Sequence, residues 1–352
     1  MAQQHTIYFG TYNGPRSKGI YRSTLHGETG HLSAPELVAE ASNPSFLALS
    51  PNGRYLYAAI EADGGAVGAW AIGADGELTA LNQQSSVGTG ACHVWVDATG
   101  RNVLVANYGD GSIACLPVRE DGSLGACATF VQHTGSGPDL SRQDKPHAHA
   151  IYTDPTNAFV YACDLGTDEV KIYRFDAARG TLVPNEPAAG KVPPGAGPRH
   201  FALHPDGFAY ANNEMGLSVT VFKRDSATGA LTEIETVPTL PDGLVTANMS
   251  TAEMFLHPSG QWLYVSNRGP DTITVFRVAT DGTLTTVDHV ATPAEPRGFG
   301  ISPDGRWLVV GGQNDDNIAV LKIDPHTGGL QTTGQTEQVG APVCVLFAPP
   351  AC

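Results

Sequence analysis

The chain has 352 residues, 41% of them hydrophobic, so it is long enough for two ordinary domains or one large all-β domain, and global disorder is excluded. Its formal net charge of −15, with no Lys/Arg-rich run, weighs against nucleic acid or an anionic membrane as a partner. Gly at 41 and Pro at 25 suit many short strands joined by tight turns.

The first residues, Met1-Ala2-Gln3-Gln4-His5, carry no basic stretch ahead of an apolar one, so no signal peptide is expected. No apolar run reaches the roughly 20 residues that span a bilayer. Ile7–Thr11 and Gly19–Leu25 read as strands, and Gly30-x-Leu32 follows as a hairpin. Next come Phe46–Ser50, the turn Pro51-Asn52-Gly53, Tyr55–Ile60 and Gly76-x-Leu78. The pattern recurs as Val94–Asp97, Val103–Asn107 and Gly122-x-Leu124, then as Ala150–Asp154, Phe159–Cys163 and Gly180-x-Leu182. It returns as Phe201–His204, Phe208–Asn212 and Gly229-x-Leu231, and as Met254–His257, Trp262–Ser266 and Gly282-x-Leu284. Phe299–Ser302, Trp307–Gly311 and Gly328-x-Leu330 form the last full unit, and Val343–Ala348 is one strand more.

Successive Gly-x-Leu steps lie 46 to 58 residues apart, the length of a four-stranded propeller blade. Each unit reads strand a, turn, strand b, loop, strand c, Gly-x-Leu hairpin, strand d. The chain is therefore expected to be one all-β domain over 1–352, a seven-bladed β-propeller. Val343–Ala348 would join Ile7–Thr11 and Gly19–Leu25 in the closing blade, which removes open sheet edges.

In such a blade the start of strand a and the end of strand b lie at one face. Aligning the strand-a starts gives Ser45, Cys92, His149, Arg199, Ala252, Arg297 and Val343, with His147 two residues before His149. Aligning the strand-b ends gives Tyr12, Glu61, Tyr108, Leu165, Glu214, Arg268 and Gln313. A scaffold gains nothing from charges that must be desolvated, so these positions predict a site. The longest repeat interval has its excess at Val131–Pro146, which reads either as a substrate lid or as an exposed insertion without a role.

Pro146-His147-Ala148-His149, Gly197-Pro198-Arg199-His200-Phe201, Asn212-Asn213-Glu214, Ser266-Asn267-Arg268-Gly269 and Pro296-Arg297-Gly298-Phe299 together resemble the propeller lactonase family. Gly10-Thr11-Tyr12, Ala106-Asn107-Tyr108-Gly109, Cys163-Asp164-Leu165-Gly166 and Pro342-Val343-Cys344-Val345 extend the resemblance over nearly the whole chain, in order. That family includes 6-phosphogluconolactonases and enzymes that lactonise 3-carboxy-cis,cis-muconate. The resemblance implies a cleft lined by a histidine, two arginines and a glutamate, which fall here on His149 or His147, Arg199, Arg268 and Glu214.

Lactone hydrolysis needs a base to activate water and a group to stabilise the oxyanion. His149 is the expected base with Glu214 assisting, while Arg199, Arg268 and Arg297 hold an anionic lactone or dicarboxylate. Tyr108, Glu61, Gln313 and His200 are the further expected substrate contacts. Asp164 and Asp168 read as acceptors for turn amides, and Asn107 and Asn267 as supports of the b-to-c loop. His147 and His149 could chelate a metal with His200 or His133, but no metal-binding, serine-elbow, Walker or dinucleotide motif is present, so neither metal nor cofactor is expected. Six cysteines without a Cys-x-x-Cys read as reduced thiols of a cytoplasmic protein, and a closed propeller needs no partner, which suits a monomer or weak homo-oligomer. Two other functions stay open: lactonisation of carboxymuconate, and a non-catalytic binding platform.

Overall fold

The computed structural model describes residues 4–62, 64–241, 243–244 and 248–349; Cys352 and the first three residues lie outside them. The chain opens with β1 (Gln4–Thr11), β2 (Gly19–His26) and β3 (Glu36–Glu40). β4 (Pro44–Leu49), β5 (Tyr55–Ile60), β6 (Ala66–Ile72) and β7 (Leu78–Ser85) follow. The third group is β8 (Ala91–Val96), β9 (Asn102–Asn107), β10 (Ser112–Pro117) and β11 (Thr129–Gln132). The fourth is β12 (Ala148–Thr153), β13 (Phe159–Asp164), β14 (Glu169–Asp176) and β15 (Thr181–Lys191). Then come β16 (Pro198–Leu203), β17 (Phe208–Asn213), β18 (Ser218–Arg224) and β19 (Leu231–Pro238). β20 (Ser250–Leu256), β21 (Trp262–Arg268), β22 (Thr272–Val278) and β23 (Leu284–Ala291) form the next, and β24 (Gly298–Ile301), β25 (Trp307–Gly312), β26 (Asn317–Ile323) and β27 (Leu330–Gln338) the last full one, before β28 (Pro342–Phe347).

These strands make seven four-stranded antiparallel sheets, the blades of a β-propeller. The sheet β28-β1-β2-β3 joins the two ends of the chain, with Ile7 opposite Phe347 and Phe9 opposite Val345. By contacts the chain divides into a unit of residues 45–236, which holds the blades β4 to β19, and a unit of residues 1–44 and 237–352, which holds the other three.

Position within a blade dictates composition. The second strands β5, β9, β13, β17 and β25 are nearly continuous apolar runs buried on both faces. The outer strands β7, β23 and β27 are polar and alternate, because one face meets water. Within the larger unit, Tyr57, Val94, Val105 and Leu124 share one core cluster between neighbouring blades, and Tyr161, Phe201, Ala211 and Phe222 share another.

All seven Gly-x-Leu glycines have positive φ, from 64° to 84°. Gly122 shows why the residue must be glycine twice over. Its φ is +83°, and a Cβ there would lie 2.1 Å from the Tyr55 ring of the preceding blade. Tyr57 Oη donates to the Gly122 carbonyl at 3.0 Å, and Tyr161 does the same to Gly229 at 3.0 Å and Tyr264 to Gly328 at 2.8 Å. Each of these three hairpins is thus latched to the second strand of the blade before it. Six of the seven leucines are buried as expected; Leu78 is half-buried. Leu32 and Leu124 sit in isolated bridges, and their fourth strands begin only at Glu36 and Thr129.

Candidate active site

The strand-a positions singled out in the sequence coincide with irregularities in the sheets. On β8, Ala91 pairs with Asn107 and His93 with Ala106, which leaves Cys92 as an extra residue. His149 is extra in the same way between Ala148 and Ala150, and Arg199 between Pro198 and His200. Such β-bulges break the alternation of the pleat and re-aim a side chain. Val343 occupies the equivalent place on β28, and the bulge on β20 takes in Ala252 and Glu253. Arg297 differs: it precedes β24 and is not in a strand.

Within the larger unit these bulges assemble one polar cluster. Arg199 is 3% exposed, and its Nε donates to Glu214 Oε2 at 3.0 Å. Its Nη1 lies 3.1 Å from His200 Nε2. The other oxygen of Glu214 accepts from Arg142 Nη2 at 2.6 Å, and that same nitrogen donates to Tyr108 Oη at 3.2 Å. The Tyr108 ring stacks on His147 at 4.5 Å and meets His149 edge-on at 5.6 Å, while His149 and His200 lie 5.5 Å apart. His147 Nδ1 donates to the Tyr108 carbonyl at 2.8 Å, which places its remaining lone pair on Nε2. His147, His149, His200, Arg199, Glu214 and Tyr108 are therefore one connected group.

Arg142 belongs to this group and was not singled out in the sequence. Burial works against its charge, but the bonds to Glu214 and Tyr108 outweigh that and raise its pKa above the ordinary arginine value. Arg142 sits in the long insertion, which starts after β11, two residues later than expected. The insertion is tied at several points. Asp164, fully buried, binds His133 near its start through Oδ2 at 2.6 Å and accepts the His147 amide at its end through Oδ1 at 2.9 Å. In the middle, buried Gln143 donates to the Leu165 carbonyl at 2.8 Å and to Asp168 at 2.7 Å. Asp168 also accepts the amides of Gly195 and Gly197 at 2.7 and 2.8 Å. The segment is a pinned wall that carries Arg142, and the repeat interval was the signal that could have pointed to it.

His93 was also missed. It is fully buried, 4.2 Å from the Phe46 ring and 5.5 Å from His200. Burial, then the neighbouring His200 and Arg199 charges, push its pKa well below the ordinary histidine value. Cys92 Sγ lies 3.2 Å from the His149 carbonyl. Among the described residues no cysteine is in a disulfide, and burial pushes the Cys115 thiol up to about 12. Glu61 directly follows β5 and is half-buried.

The smaller unit holds the other expected residues. Arg268 Nη2 donates to the Thr251 carbonyl at 3.1 Å, and Nη1 lies 3.9 Å from Glu295. The Arg297 guanidinium lies over the Tyr12 ring at 5.4 Å, and the Gln313 amide donates to the Glu295 carbonyl at 3.1 Å. Asn107 Nδ2 donates to the Ser86 carbonyl and Ser112, and Asn267 Nδ2 to Thr272 and Thr274, across the loops they border. Among the described residues no three His, Cys, Asp or Glu side chains converge as a metal-ligand set, and no helix is long and apolar enough to cross a membrane.

Seven four-stranded blades with buried histidine, arginine and glutamate at one end define a seven-bladed β-propeller enzyme. A family model described as lactonase, 7-bladed beta-propeller, matches residues 6–347, and the chain belongs to that family. It is similar to the 6-phosphogluconolactonase of Bacillus subtilis (strain 168), 39% identical over 345 residues and 97% of each chain. It is 32% identical over 330 residues to the 6-phosphogluconolactonase of Pectobacterium atrosepticum, covering 93% of this chain and 94% of that one. The solved structure of a periplasmic gluconolactonase of Pseudomonas aeruginosa superposes with a TM-score of 0.92 at 31% identity, over 99% of this chain and 100% of that one.

Proposed function

We propose that the protein hydrolyses 6-phosphogluconolactone to 6-phosphogluconate in the cytoplasm, as a single propeller domain that needs neither metal nor cofactor. The carrying observation is the pairing of Glu214 with both Arg199 and Arg142 beside His149 and His147. A carboxylate held by two guanidinium groups is poorly suited to take up a proton, so Glu214 serves to fix the arginines. His149 then removes a proton from water as the water oxygen bonds to the lactone carbonyl carbon. Arg199 faces the oxyanion that forms. When the intermediate collapses, the bond to the ring oxygen breaks and that oxygen takes up the proton, giving the open hydroxy acid. Water and lactone are the only reactants. His147 is the second candidate base, since its Nδ1 is engaged with the Tyr108 carbonyl and its Nε2 is the other ring nitrogen, 3.7 Å from Asp144. Within the larger unit, Tyr108, His200 and Glu61 are the proposed substrate contacts.

The test is the hydrolysis of freshly made 6-phosphogluconolactone against its spontaneous rate, before and after EDTA. Acceleration that survives EDTA is expected. Turnover of carboxymuconate alone would transfer the protein to the lactonising branch of its family. Loss of activity on chelation would refute the metal-free reaction.

A further inference from the structure

We infer that Arg142 is the residue that selects a phosphorylated lactone, holding the substrate's phosphate at the outer edge of the cluster. The inference rests on the lactonase reading above and concerns which end of the substrate meets which arginine.

The two arginines on Glu214 differ in exposure. The Arg199 side chain is 3% exposed, and that of Arg142 is 43% exposed. A phosphate ester carries close to two charges at neutral pH, and stripping it of water would cost far more than the loss of one hydration shell on a neutral ring. It therefore belongs at the exposed guanidinium, which leaves the lactone carbonyl for the buried one. Arg142 also has the donors to receive it. Both of its hydrogen bonds, to Glu214 Oε1 and Tyr108 Oη, use Nη2, so its Nη1 and Nε make no hydrogen bond among the described residues. Nε–H and the two hydrogens of Nη1 point to different sides of the guanidinium, so each is a separate charged donor for a phosphate oxygen. The residue is also prepositioned: its amide donates to Asp139 at 3.0 Å, and its neighbour Gln143 is the buried anchor of the whole insertion. Lys145, on the same segment, donates to the Gly109 carbonyl at 2.8 Å and adds a second cation next to the Tyr108 turn.

Two measurements on the full chain test this. First, the stable products 6-phosphogluconate and gluconate are titrated by calorimetry into wild type and into Arg142→Ala and Arg142→Lys. Wild type is expected to bind the phosphorylated acid at least tenfold more tightly. Arg142→Ala should erase most of that ratio, and Arg142→Lys, which keeps the charge but loses the guanidinium's several donors, should retain part of it. Second, kcat/KM is measured on 6-phosphogluconolactone and glucono-lactone. Both should fall in Arg142→Ala, because Glu214 loses a partner, but the phosphorylated substrate should fall about tenfold further, through KM. An equal loss on both lactones, or an unchanged binding ratio in Arg142→Ala, would overturn the inference. The binding ratio keeps its meaning even if wild type hydrolyses neither lactone, an outcome that would sink the lactonase reading by itself. Retained gluconate binding shows that the variant has folded.

Discussion

The two ends of the blades in the larger unit are built on opposite plans. At the hairpin end a positive-φ glycine repeats, and at Gly122 and Gly229 an aromatic ring of the preceding blade lies against it and a phenol donates to its carbonyl. At the other end no two blades agree. Cys92, His149 and Arg199 fill the same bulge with a thiol, an imidazole and a guanidinium. The repeated end contributes packing that any blade can use. The irregular end spends that stability on buried charge, and its variety brings a histidine, an arginine and a glutamate into one cluster. If this division is right, substitutions at one end should change turnover, and those at the other end should change stability.

The largest effect is expected from Arg199→Ala. Loss of an oxyanion-facing donor should lower kcat by about 10²–10³-fold, read by the lactone assay above. This end should not be entirely free of stability cost. Glu214 is 6% exposed, and losing one of its two cations should cost up to about 3 kcal/mol in denaturant unfolding. Wild-type turnover in the variant would remove Arg199 from the mechanism. At the hairpin end Gly122→Ala is the counterpart. The new Cβ must displace the Tyr55 ring at a φ that alanine disfavours, so about 2–4 kcal/mol of stability should be lost. The folded fraction should keep its specific activity. A drop in kcat per folded molecule would show that the two ends are coupled.

The same contrast explains what could be read from the sequence. The hairpin end was legible because one element recurs seven times, and a required φ leaves glycine at each copy. Strand b of each blade was legible for a similar reason: burial on both faces leaves a run such as Val103–Asn107 without polar interruption. At the site end the positions His149, Arg199 and Glu214 could be aligned, but the bulges that aim them could not. An inserted residue changes hydrogen-bond register without leaving a compositional mark. Arg142 was hidden more deeply. It lies in a segment with no period, and only the tertiary anchors Asp164, Asp168 and Gln143 bring it to Glu214. Asp164 and Asp168 accept backbone amides, as their turn positions suggest, and each also holds a side chain of the insertion, His133 and Gln143.

His93 sharpens the comparison, because it stands at the site end and yet has a structural signature. It is buried among Phe46, Tyr152 and His200, its Nδ1 accepts the Ile151 amide at 3.4 Å, and its Nε2 has no hydrogen-bond partner among the described residues. Burial first, then His200 and Arg199, hold its folded pKa well below 6.5. The unfolded chain therefore takes up a proton below about pH 6.5 that the folded chain refuses. Stability from the neutral ring is complete above that pH and is lost as pH falls toward the folded value. Between the unfolded and folded values the slope approaches about 1.4 kcal/mol per pH unit. His93→Phe keeps an aromatic ring and removes the titration, so urea midpoints should fall less steeply between about pH 6.5 and pH 5 than in wild type. An unchanged slope would mean that His93 gains its proton in the folded protein. If the slope flattens while kcat/KM on the lactone stays within a few fold, His93 belongs with the packing of the hairpin end despite its address. A large loss of kcat would instead extend the reacting cluster inward through His200, and the boundary between the two plans would lie one layer deeper in the blade.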